Sequence, residues 1–380
     1  MILYFRYALR SIKRSKGIAL GVALSMALGI GATASVFSFV DSAVLRPLPV
    51  PETHRVVRIT NSTPAGPIGS FSYPEYRDYV ERSRSFSGIV TYQNATIGFS
   101  VKPGDEPRVI LATLVSGNFF STLQVKPIVG RGFVSEEDSA AGRNTVAILS
   151  YAEWQRDFGG AVDVVGRVVT INGHAFTIIA VAPREFTGVQ PFIQPAIYLP
   201  RAVMEEPYMG LDSSWLTNRA NRFMNLLARL KPPVTVEQAK ADVGRIASQL
   251  EAEHPETNKT WKAVVLTQSA FRQAGGPGLR IAVLFLSVAF LVLGIACVNV
   301  SNLLLSTVPT RTREMAVRIA MGAPRARLLE QLLMESAILS IAGTLGGLAI
   351  ASRCADSFRR FLLPGSTRHS VFRLRWAGAW

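Results

Sequence analysis

The stretch EMAVRIAMGAPRARLLEQLLMES, Glu314 to Ser336, lies between two long apolar runs. It carries three arginines against three glutamates, is half-apolar and is broken by Gly322 and Pro324. Before it, Ile281–Val308 is uncharged throughout, longer than the roughly 20 residues that cross a bilayer core. Asn299 and Asn302 in that run suit either a hydrogen bond to a neighbouring helix or solvation at the interface. After it, Leu332–Ala351 is again apolar, with Glu335 near its start and Ser336, Ser340, Gly343 and Gly347 as a small-residue face. Near the N-terminus, Gly17–Val40 is a third uncharged run. There Gly17, Gly21, Ser25, Gly29 and Thr33 recur every four positions and make one ridge on a helix. Such ridges let helices approach closely in lipid. A basic start and Ala32-Thr33-Ala34 also suit a cleaved signal peptide. VFSFV continues apolar past that site, so a retained span is expected.

The chain has 380 residues, is 48% hydrophobic and carries a formal net charge of +15. Strong positive charge points to nucleic acid or to an anionic membrane surface, and its placement decides. Arg6, Arg10, Lys13, Arg14 and Lys16 precede the first run with no acid among them. Arg311, Arg313, Arg318, Arg325 and Arg327 lie between the last two runs, against Glu314 and Glu330. Arg353, Arg359, Arg360, Arg368, Arg373 and Arg375 follow the third run, against Asp356. Asp41–Arg280 stays close to neutral. Charge clustered beside apolar runs speaks for membrane topology and against nucleic acid. The positive-inside rule then gives a cytoplasmic 1–16, a span at 17–40, an outside domain at 41–280, a span at 281–308, a cytoplasmic loop at 309–331 and a span at 332–351. The basic tail 352–380 would lie outside and breaks the rule, which points to a truncated or frame-shifted end. Cys297 and Cys354 both fall outside 41–280, so that domain has no disulfide framework.

The outside domain reads as mixed α+β, strand–helix–strand units flanking a β-rich insert. Alternating prolines in Arg46-Pro47-Leu48-Pro49-Val50-Pro51 favour a stiff exit from the first span. Strands are expected at Arg55–Thr60, Arg108–Val115, Thr145–Leu149, Asn225–Leu230 and Lys262–Thr267. Val168–Val181 is a hairpin with Asn172-Gly173 at its turn. Ser72-Tyr73-Pro74-Glu75 and Thr235-x-x-Gln238 are capping boxes that open helices. The second helix places Val236, Val243, Ile246 and Leu250 on one face. YAEWQRDF is a further short helix. His54, His174, His254 and His369 have no metal-ligand spacing, and neither HExxH nor GxSxG occurs. The chain lacks GxxxxGK[ST], so any driving ATP binds to another chain. No cofactor and no catalytic residue is expected.

In the opening stretch, Glu314 and Arg318 form an acid-first i,i+4 pair, Gly322 ends a helix and Pro324 starts the next. Composition alone also suits a lipid-surface anchor. The pattern REMAVRIAMGAPRARLLEQLLMES, Arg313 to Ser336, resembles the cytoplasmic signature of FtsX-like permeases, the membrane subunits of MacB/LolC-type ABC systems. LRPLPVPE, VSGNFFSTLQVKPIVGRGF, VAILSYAEWQRDFGG and VGRVVTINGHAFTIIAVAP look like the MacB-type periplasmic core domain. The resemblance spans about residues 1–350 and is closest to long bacterial permeases with two such units in tandem. It implies a bacterial inner-membrane permease subunit whose loop contacts a separate ABC ATPase. Movement of the spans would then drive the outside domain, in a homodimer or in a pseudo-dimer with a second permease unit. Glu314, Arg318, Gly322, Ala323 and Arg327 would form or shape the ATPase contact. The insert, about residues 115–220, would engage substrate or a periplasmic partner. A family unit has four spans and this chain shows three. A membrane-anchored sensor or scaffold without transport is the alternative, and an extracytoplasmic enzyme a distant third.

Overall fold

The computed structural model describes residues 16–40, 47–63, 66–102, 104–139, 145–190, 193–205, 208–210, 212–259, 261–273, 277–306, 308, 312, 316, 320–321 and 325–362. The chain divides into two compact units, Met1–Ala43 with Arg280–Arg359, and Val44–Leu279 with Arg360–Trp380. It opens with α1 (Lys16–Val40). The second unit then runs β1 (Val56–Thr63), β2 (Gly66–Gly69), α2 (Tyr73–Arg82), β3 (Phe86–Ser100), β4 (Arg108–Val115), α3 (Phe119–Leu123), β5 (Val129–Gly130), α4 (Ser135–Ser139), β6 (Val146–Leu149) and α5 (Tyr151–Phe158). It continues with β7 (Val168–Ile171), β8 (His174–Val181), β9 (Ile197–Pro200), β10 (Asn225–Leu230), α6 (Val236–Glu253), α7 (Pro255–Asn258), β11 (Lys262–Thr267) and α8 (Gln268–Gln273). α9 (Pro277–Leu305) and α10 (Arg325–Leu362) follow.

The flanking pieces of the second unit are two interleaved βαβ units, β1–α2–β3 and β10–α6–β11. Sheet order β11-β1-β10-β3 is antiparallel at every step. It therefore sets β1 parallel to β3 with β10 between them, the split-βαβ arrangement. Both long helices start as their sequence dictates. The Ser72 side chain accepts from the Glu75 amide while Glu75 accepts from the Ser72 amide, and Thr235 and Gln238 repeat the exchange. Tyr76 and Tyr79 of α2, with Val243, Ile246 and Leu250 of α6, bury against Val57, Ile59, Leu226, Ala228 and Val265 of the sheet. Each such aliphatic side chain contributes about 1.5–3 kcal/mol on full burial.

The insert is not a separate layer. β3 is 15 residues long. It pairs with β10 through Tyr92, with β4 from Tyr92 to Phe99, and with β7 at Phe99 and Ser100. β4 pairs with β9, β9 with β6, β6 with β8 and β8 with β7. The circuit β3-β4-β9-β6-β8-β7 thereby closes on itself. One side of these strands carries Ile110, Ala112, Leu114, Phe176, Ile178, Ile197 and Leu199, packed with Trp154 and Phe158 of α5. The other carries Val115, Ile148 and Tyr198, packed with Phe119 and Phe120 of α3. Burial on both sides makes β6 and β9 continuous apolar runs without alternation. The primed turn between β7 and β8 holds Asn172 at φ 50° and Gly173 at φ 85°. β2, β3, β5 and β9 carry no strand signal that sequence reading resolved. In β3, Gly88, Asn94 and Gly98 interrupt the pattern. Gly88 is where α3 presses on the sheet, since a Cβ there would stand 2.5 Å from Thr122 Oγ1.

On the membrane side, the helices extend beyond the apolar segments expected from the sequence. Among the described residues, two helices are long and apolar enough to cross a bilayer, Lys16–Phe37 and Ala282–Leu305. The third span expected at Leu332–Ala351 falls within α10, which is continuous from Arg325 to Leu362 and whose described apolar stretch is Ser336–Ile350. Arg353, Arg359 and Arg360, expected in a basic tail, lie on that helix. No proline separates Pro324 from Pro364, so nothing in the sequence stops the helix at Ala351.

Candidate functional site

Of the residues expected to form the coupling contact, Glu314, Arg318, Gly322 and Ala323 lie outside the described residues. Arg327 sits in the first turn of α10, and its side chain also lies outside them.

The helix-packing residues divide. A Cβ on Gly29 would stand 2.9 Å from the Ala296 Cβ of α9, and one on Gly21 would stand 3.1 Å from Leu303 Cδ1. Ser25 is half-buried, whereas Gly17 has nothing within 4 Å. Opposite the ridge, Ala282, Ala289 and Ala296 are the buried positions of α9 among the described residues. α1 also has a second contact face that no sequence periodicity marks. Gly343 of α10 would bring a Cβ to 2.6 Å from the Met26 Cβ, Gly346 to 3.1 Å from the Ala27 Cβ and Gly347 to 3.0 Å from the Ile30 Cβ. Backbones this close admit no larger side chain without moving apart. Ala19, Val22 and Leu339 form the buried centre of the unit.

In the second unit, the strand that follows α1 and the strand that precedes α9 are hydrogen-bonded neighbours. β1 and β11 pair from Val57↔Thr267 to Ser62↔Lys262. Arginines secure the end of this pair where the chain enters β1 and leaves β11. Arg229 of β10 donates to the carbonyls of Thr122, Leu123 and Pro51 at 2.6, 2.9 and 3.1 Å. Arg55 donates twice to the Leu230 carbonyl, at 3.2 and 2.8 Å, and once to Glu52 at 2.7 Å. Leu48 and Val50 pack on the core. At the same end of the ladder, where the chain leaves β11, Arg58 of β1 donates to the Tyr92 hydroxyl of β3 and lies 4.1 Å from the ring centroid of Phe271 in α8.

Ion pairs fasten the helices to the sheet. The buried Glu75 carboxylate accepts from Arg222 Nη2 and Nε at 2.8 and 3.0 Å and from Asn258 at 3.0 Å. Arg82 and Arg219 share Asp78, and Arg82 also reaches Glu253. On α5, Glu153 contacts Arg108 and Arg156, and Asp157 stands beside it. Burial pushes the Glu153 carboxyl up to about 7, against the pull of Arg156 and Arg108. Burial likewise raises Asp138, which pairs with Arg201 at 2.5 Å. His174 meets the Tyr208 ring edge-on at 5.0 Å, and His254 caps α6. Among the described residues no group of three His, Cys, Asp or Glu side chains is placed to hold a metal.

The family model for the MacB-like periplasmic core domain matches residues 19–246. The chain belongs to this family. The FtsX-like permease C-terminal family model matches residues 286–368. That match runs beyond Ala351, into the segment expected to be an aberrant tail. An uncharacterized ABC transporter permease, YknZ of Bacillus subtilis, is 27% identical over 62% of this chain and 55% of its own length. The macrolide export ATP-binding/permease protein MacB of Salmonella typhi is 27% identical over 69% of this chain and 38% of its own length. The chain thus spans about half or less of these curated relatives. The periplasmic region of MacB from Actinobacillus actinomycetemcomitans aligns with a TM-score of 0.43 at 12% identity, over 59% of this chain and 93% of that one. In this MacB-type chain, α1, the first βαβ unit and the six-stranded circuit all lie within the core-domain match or run into its start.

Proposed function

We propose that this chain is a membrane permease subunit of an ABC-type export system that works by mechanotransmission. A separate ATPase binds and hydrolyses ATP at the cytoplasmic face, and the spans pass the movement to a periplasmic domain. The N-terminus and the loop 309–331 are cytoplasmic, residues 41–280 face the periplasm, and the protein sits in the bacterial inner membrane as a homodimer or a pseudo-dimer. Glu314 and Arg318 hold the loop helix, Gly322 sets its bend with Ala323, and Arg327 meets the ATPase. The relatives named for macrolide and pyoverdine export support the export reading.

The observation that carries the proposal is the pairing of β1 with β11. The segments that follow α1 and precede α9 are locked side by side in one ladder. A shift between the two helices is therefore delivered as shear at a single edge of the sheet, and α+β packing spreads it inward.

The test is gentle solubilisation of the full chain from its native membrane, with mass spectrometry of whatever co-purifies, and Arg318→Glu as control. An ABC ATPase held by the wild type and lost in the variant supports coupling. A folded, inserted chain that holds no ATPase refutes it and favours a membrane-anchored sensor or scaffold.

A further inference from the structure

We infer that the two attachments of the periplasmic domain are mechanically unequal: the contact of Phe271 on Arg58 is a releasable joint, and the Arg229 contact is a fixed one. The inference rests on the coupling function proposed above.

The fixed contact carries more hydrogen bonds, although Arg229 Nη1 is buried without an acceptor and lies 3.6 Å from Glu52. Arg229 is 2% exposed and gives three charge-assisted hydrogen bonds to carbonyls, one of them on Pro51. Arg55 adds two to Leu230, and Thr53 Oγ1 donates to the Leu48 and Val50 carbonyls. Moving residues 48–55 breaks the Arg229 bond to Pro51 and both Arg55 bonds to Leu230, and leaves buried donors short of acceptors, which is costly.

α8 is held differently. Among the described residues its side-chain and capping hydrogen bonds stay within 267–273, where Thr267 Oγ1 accepts from the Ala270 amide at 3.1 Å. It packs on β11 and β1 through the buried Gln268, whose Nε2 has no hydrogen-bond partner, and through the Phe271 ring over Arg58. Arg58 is 4% exposed, its Nε is buried without an acceptor, and it has no carboxylate partner among the described residues. Closing the contact strips water from a guanidinium, and a ring face returns only part of that hydration. Opening exposes the half-buried Phe271 but gives water to the guanidinium and to the unpartnered Gln268 amide. Opposed terms of similar size make a two-state element, in the way hinges and latches do. The state is read at the centre of the domain, because Arg58 also bonds Tyr92 of β3. β3 is the strand shared by the split-βαβ sheet and the six-stranded circuit.

Hydrogen–deuterium exchange on the full chain with its co-purified ATPase tests this, nucleotide-free and with ATP plus vanadate. We expect nucleotide to change exchange in 268–273 by about fivefold or more and to leave 48–55 within about twofold. Phe271→Ala should hold α8 at the fast-exchanging level in both states. Phe271→Trp, with the better ring for a cation, should slow exchange in α8 and restore the nucleotide response. The joint is overturned if both segments respond together, or if nucleotide alters the cytoplasmic loop while α8 stays unchanged in all three proteins. A wild-type complex with no nucleotide response anywhere overturns the coupling function itself, and the joint with it.

Discussion

Replacing Arg222 with Met tests how the periplasmic domain is held together. Glu75 is 2% exposed and receives two of its hydrogen bonds from Arg222, with further bonds from the Ser72 amide at 2.9 Å, the Ser72 hydroxyl at 3.0 Å and Asn258. Arg222 also stacks 4.8 Å from the Trp261 ring centroid. Breaking a buried pair costs about 3–5 kcal/mol because the remaining charge is stranded. The three surviving donors keep part of the solvation, so we expect the lower end, about 3 kcal/mol. With a urea m-value of about 3 kcal/mol/M for a domain of this size, the midpoint should fall by about 1 M. Pulse proteolysis of the detergent-solubilised full chain across a urea series reads that midpoint for the soluble unit. Glu75→Gln added to Arg222→Met should recover about half of the loss, since a neutral amide is cheaper to bury than a carboxylate. A shift under about 0.3 M for Arg222→Met, or a double variant worse than the single, would refute the reasoning.

The other predictions concern pH and the spans. Glu153 has a folded value near 7, above its unfolded value of about 4.3. Its contribution is therefore complete below about pH 4 and is lost as pH rises through about 7. The urea midpoint of the wild type should fall relative to that of Glu153→Gln over this window; parallel pH profiles would exclude a raised Glu153. In α1, Gly29→Leu should abolish the monodisperse folded peak of the detergent-solubilised chain, whereas Gly17→Leu should leave it unchanged. Equal behaviour of the two in size-exclusion chromatography would remove the basis for the α1–α9 contact.

Local interactions were legible in the sequence. Ser72–Glu75 and Thr235–Gln238 fix helix starts through bonds three residues apart. Asn172-Gly173 fixes a turn through backbone angles that few residues adopt. Charge beside apolar runs located α1 and α9, because hydrophobic length and cation placement are properties of the chain itself. The ends of α10 were less legible, since an apolar window marks what can enter lipid but not where a helix without prolines stops.

What only the tertiary structure decided is pairing between distant segments. β3 has no clean alternation because it borders three different partners along its length. The closure of the six-stranded circuit depends on β7 returning to Phe99, which no local pattern encodes. The same holds for Met26, Ala27 and Ile30 of α1, although Gly343 and Gly347 opposite them stand on a small-residue face of the sequence, and for Arg58, Arg222 and Arg229. In the sequence these arginines are three basic residues among many. The fold buries each of them at least nine-tenths and gives it its role by the partners that long-range packing places around it.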